Sequence, residues 1–70
     1  MITIATLNNL NEAYLLRSML EAGEIPAFMP DENTIQTDWA LTYAVGGIRI
    51  QVPEYFQEKA EAIVADYLAR

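Results

Sequence analysis

Ile48-Arg49-Ile50-Gln51-Val52-Pro53-Glu54, running on through Phe56, Ala60, Ile63, Val64 and Tyr67, is the stretch that decides the fold. Up to Val52 the apolar residues recur at every second position. That puts Ile48, Ile50 and Val52 on one face of a strand and Arg49 and Gln51 on the other. Beyond Pro53 the period changes: from Phe56 the apolar residues fall at i, i+4, i+7, i+8 and i+11, the stripe of an amphipathic helix. Pro53 suits the first turn of that helix, where a missing N–H costs nothing. Glu54 and Glu58 lie near the positive end of its dipole, and with Glu61 they face water. The helix is predicted to run to Arg70. Gly46-Gly47 marks a turn before the strand.

Working back towards the N-terminus, Ile2 to Thr6 alternates too, with Ile2 and Ile4 on one face and Thr3 and Ala5 on the other. Asn8 and Asn9 stop this strand. Asn9 with Glu12 resembles a capping box and predicts a helix from Leu10 to Ala22. Ala13, Leu16 and Leu20 form its stripe, widened by Leu15 and Met19, with Arg17, Ser18 and Glu21 opposite. Gly23 is placed as the left-handed residue that closes it. Ile25 to Met29 reads as a short edge strand, because Pro26 and Pro30 cannot donate to a ladder. Asp31 to Val45 is a long connection in which Thr34 to Leu41 is compatible with a helical turn capped by Asn33.

Burying each apolar face against the others gives an α+β, two-layer βαββα domain. Its three-stranded antiparallel sheet has the order 1-3-2 and carries two helices on one face, a truncated ferredoxin-like plait without its fourth strand. Seventy residues correspond to a single domain, residues 1–70, whose core is marginal for its size.

Composition narrows the chemistry. There is no Cys and no His, which removes thiolate and imidazole metal ligands and the commonest general base. Ten carboxylates stand against four basic residues, Arg17, Arg49, Lys59 and Arg70, for a net charge of −6. That balance predicts no nucleic-acid binding and no attraction to anionic membranes. The first residues lack the basic and apolar regions of a secretory signal, so the expected location is cytoplasmic.

Further residues carry a family resemblance. Glu12-Ala13, Leu20-Glu21-Ala22-Gly23, Ile25-Pro26-Ala27-Phe28, Gly46-Gly47-Ile48, Val52-Pro53-Glu54 and Lys59-Ala60 resemble the prokaryotic signal transducing protein family, a set of short bacterial domains. The resemblance spans nearly the whole chain. Glu24 departs from it, standing where the glycine would run straight into the isoleucine. The resemblance implies a plait related to small nitrogen-signalling trimers and supplies no catalytic residues.

Candidate sites are few. Asp31, Glu32 and Asp38 share one segment, but their spacing matches no calcium loop, so no metal and no cofactor is expected. Ser18 lies on the solvent side of a helix, and Lys59 is flanked by Glu58 and Glu61, which stabilise its charged form; no enzyme is expected. Gly46-Gly47 precedes a strand, not a helix, and so makes a poor phosphate loop. The sheet face away from the helices is predicted to carry Thr3, Ala5, Phe28, Arg49 and Gln51, with Trp39, Leu41 and Tyr43 nearby. These aromatics either cover the sheet or meet a partner. Arg49 either pairs with Asp31, Glu32 or Asp38 or binds an outside anion. Phe28, Trp39, Tyr43 and Arg49 are therefore the candidate binding residues of a non-catalytic binding or regulatory module, with an unknown protein or small molecule as partner. The alternative is a structural subunit that self-associates. Ile2, Thr3, Ile4, Ala5 and Thr6 form an uncharged strand edge on which a homodimer would be built.

Overall fold

The computed structural model describes residues 1–30 and 47–69. Within them the chain forms β1 (Ile2–Leu7), α1 (Leu10–Ala22), β2 (Ile48–Val52), a turn of 3-10 helix (Glu54–Phe56) and α2 (Gln57–Leu68). The architecture is α+β: a two-stranded antiparallel sheet of β1 and β2, with two helices. The inward side chains of β2, Ile48, Ile50 and Val52, are fully buried. They share one core with Ala13, Leu16 and Leu20 of α1, Ala60 and Val64 of α2, and Ile25 and Met29. Because Ile48, Ile50 and Val52 all project from the same side of the strand, both helices lie on that face.

The alternation read for β2 holds, whereas β1 departs from it. The pairs Ile2↔Val52 and Thr3↔Gln51 are followed by Ala5↔Ile50, Thr6↔Arg49 and Leu7↔Ile48. Ile4 is thus an extra residue, a β-bulge, and it inverts the parity of everything after it. Ala5 turns to the helix-covered face and Thr6 to the open one, the reverse of the simple alternation. The inversion lets Ile2, Ala5 and Leu7 all pack against the core. An uninterrupted strand would have sent Ala5 and Leu7 outward.

The helix start is as read: the Asn9 side chain accepts a hydrogen bond from the Glu12 N–H at 3.1 Å. Leu15 does not join the stripe and is exposed, while Met19 is half-buried. The exit also differs. Gly23 has φ −87°, and the left-handed residue is Glu24, at φ +63°. The Ile25 N–H reaches the Leu20 carbonyl at 3.0 Å, and the Glu24 N–H reaches Glu21 at 2.9 Å. This is the paired bonding of a Schellman closure, with Glu24 at C′ and buried Ile25 packing back towards Leu20. The left-handed turn thus falls one residue after the glycine. Gly23 serves a different need: a Cβ there would lie 3.0 Å from the Ile63 side chain of α2. Its carbonyl also accepts a bond from the Lys59 ammonium at 2.8 Å.

The segment read as a second strand makes a single bridge, Phe28 to Gln51, with both N–H···O bonds at 2.8 Å. In an antiparallel ladder the next rungs on that edge fall two residues away on each side. Those positions are Pro26 opposite Pro53 and Pro30 opposite Arg49. The first pair has no N–H at all and the second has one, so the ladder stops at one bridge. Pro53 itself stands one residue before the 3-10 turn in extended backbone (ψ 143°), and α2 begins only at Gln57. The α2 stripe holds: Ala60 and Val64 are buried, and Phe56, Ile63 and Tyr67 pack around them. The helix ends at Leu68, and Arg70 lies outside the described residues.

Candidate binding surface on the open sheet face

Gln51 spends its backbone N–H and C=O on Phe28, so its pairing with Thr3 is of the non-hydrogen-bonded kind, in which side chains approach closely. The Gln51 side-chain amide accordingly donates to the Thr3 hydroxyl at 3.1 Å. Paired residues project to the same side of a sheet, so Thr3, Gln51 and Phe28 form one row across the open face. Thr6 and Arg49 form the next row. Phe28 is 49% exposed and ends the first row beside polar neighbours.

Of the sequence candidates, Phe28 and Arg49 therefore share this face with Thr3 and Gln51, while Ala5 leaves it through the bulge. Trp39 and Tyr43 lie outside the described residues, as do Leu41, Asp31, Glu32 and Asp38. The strand candidates Ile2, Thr3, Ile4, Ala5 and Thr6 all belong to β1. Backbone alternation turns the N–H and C=O of Thr3 and Thr6 away from β2, to the outer edge of the sheet. Among the described residues no strand lies on that edge.

Two further basic side chains, Arg17 and Lys59, lie away from this face. Arg17 contacts Glu21 at 3.4 Å and lies over the Tyr14 ring, and Lys59 bonds the Gly23 carbonyl. Ser18 donates to the Tyr14 carbonyl one turn back. Tyr55 is 90% exposed and stands edge-on to Phe56, their centroids 5.1 Å apart, beside a shallow hollow with Glu58, Lys59 and Ala62. The sequence reading passed over it because Tyr55 falls just outside both periodic patterns. Among the described residues no three carboxylates converge as a cation site would require, and no helix is long and apolar enough to cross a membrane. No family model, curated protein or solved structure matches the chain.

Proposed function

We propose that the chain is a cytoplasmic, non-catalytic binding or regulatory module that engages a partner through its open sheet face. The observation that carries this reading is the row Thr3–Gln51–Phe28 beside Thr6–Arg49. It sets one exposed aromatic and one guanidinium among hydrogen-bonding side chains, on the sheet face opposite the buried core. An aromatic anchor beside an arginine is the composition from which binding hot spots are built. The lack of His and Cys supports a role without acid–base or nucleophilic chemistry. In the same reading the Phe28 bridge is the remnant of a third strand. The sheet order is then 1-3-2 and the fold a truncated ferredoxin-like plait, as the resemblance to the signal transducing family implies.

The test compares proteins captured from the native cell by the wild-type chain, by Phe28→Ser and by Arg49→Gln. A partner retained by wild type and lost from both variants, each folded by circular dichroism, is the expected result. Equal capture by all three refutes the face as the binding surface.

A further inference from the structure

We propose that the outer edge of β1 pairs antiparallel with the same edge of a second copy, in the register that sets Thr3 of each copy against Thr6 of the other. This deepens the reading of the sheet as an interaction surface by naming the occupant of its edge.

The two sides of the described sheet are unequal. Beyond β2 the ladder is closed by Pro26, Pro30 and Pro53, which leave a single bridge at Phe28. Beyond β1 there is no proline and no charged side chain from Ile2 to Asn11, and Thr3 and Thr6 direct their backbone groups outward. A chain of net charge −6 repels its own copy over most of its surface, and this stretch is where two copies meet without like charges.

The bulge then selects the partner. In a regular strand the outward-bonding residues recur every two positions. In β1 the extra Ile4 spaces them three apart, at Thr3 and Thr6, with Ile4 and Ala5 between. A regular strand laid on this edge meets one of these rungs and misses the other. A second β1, turned about a two-fold axis through the midpoint of Ile4 and Ala5, has the same two-residue interruption at the same place. Both rungs then form, Thr3 to Thr6 and Thr6 to Thr3, and the symmetry closes the assembly at two copies. Each rung places two threonines side by side, a favourable cross-strand pair. On the open face the rows become Gln51–Thr3–Thr6–Arg49, crossing from one copy to the other. On the covered face Ile4 and Ala5, both half-buried, meet their counterparts.

The chain's lack of cysteine gives a clean test. Light scattering at micromolar concentration should return twice the 7.9 kDa chain mass. Thr3→Cys and Thr6→Cys chains, mixed and oxidised, should link to each other, because a hydrogen-bonded antiparallel pair holds its Cα atoms about 5.5 Å apart, within disulfide reach. Either variant alone should not link. On the unmodified chain, amide exchange should show Thr3 and Thr6 protected at high concentration and released on dilution, which removes dependence on how the variants fold. A wild-type monomer, or a dimer whose Thr3 and Thr6 amides exchange freely, overturns the pairing. Either result leaves the open-face reading standing, since that is decided by partner capture with Phe28→Ser and Arg49→Gln.

Discussion

Replacing Glu24 with glycine should make the protein more stable, although it removes a side chain and adds no contact. Glu24 is the left-handed C′ residue of α1, at φ +63°. Holding a residue with a Cβ in that conformation costs about 1–2 kcal/mol. Glycine removes that cost but raises the entropy of the unfolded chain, an offset of about 0.4–1 kcal/mol. The net gain is about 0.5–1 kcal/mol. For a domain of this length it corresponds to a rise in Tm of about 2–8 °C. Two controls separate the causes. Glu24→Ala keeps the left-handed strain while removing the carboxylate, and Glu24→Gln removes only the charge. Urea unfolding followed by far-ultraviolet circular dichroism, with the midpoint compared at constant slope, measures all three. The glycine variant should exceed both controls. If it is no more stable than Glu24→Ala, the left-handed backbone at Glu24 is not the source of strain, and the account of the helix exit fails.

Gly47→Ala should destabilise by about 1–3 kcal/mol, because φ +115° disfavours a Cβ and that atom would stand 2.8 Å from the Thr6 methyl and 3.0 Å from the Leu7 carbonyl; chemical denaturation checks it, and an unchanged midpoint counts against the packing described. Asn9→Ala should cost about 0.5–2 kcal/mol through loss of the bond to the Glu12 N–H, with Asn9→Asp close to wild type in the same assay. Calorimetric titration with zinc, magnesium and calcium should detect no binding tighter than millimolar; a one-to-one micromolar isotherm would contradict the composition argument.

The elements with a clean period were legible in the sequence. Ile48 to Val52 and the Phe56 to Tyr67 stripe occupy the places read for them because each apolar residue answers to one buried face. The backbone departures have local causes: a bulge at Ile4, a left-handed residue after Gly23, and prolines that lack a donor. Strict alternation keeps Ile4 with Ile2, on the core side where it packs, but sends Ala5 to the open face, and nothing in Ile-Thr-Ile-Ala-Thr signals a bulge until Leu7 must also be buried. Residue type points to Gly23 for the left-handed turn, whereas the next residue takes it and Gly23 lies where α1 comes close to the Ile63 side chain of α2. The prolines at 26 and 30 were read as marking an edge strand. Their spacing, together with Pro53 across the ladder, does more and reduces the strand to one bridge. On the candidate surface, Phe28, Arg49, Thr3 and Gln51 followed from the alternation of β2 and its neighbours. Ala5 did not, because the bulge before it turns it to the covered face. Tyr55 had no signal, since it belongs to neither stripe.

The pairing of β1 with β2 also sets a timetable for the chain during synthesis. β1 is made before β2, its hydrogen-bonding partner among the described strands, which begins at Ile48. About 40 residues of translation separate Leu7 from Ile48, roughly 2–8 s at ordinary elongation rates. Throughout that interval α1 can form locally, but β1 lacks β2, the strand it pairs with among the described residues. The nascent chain therefore passes through a period in which this apolar, uncharged strand waits for β2. The β1–β2 pairing waits on the arrival of Ile48, Ile50 and Val52, and the core closes only when Ala60 and Val64 of α2 follow.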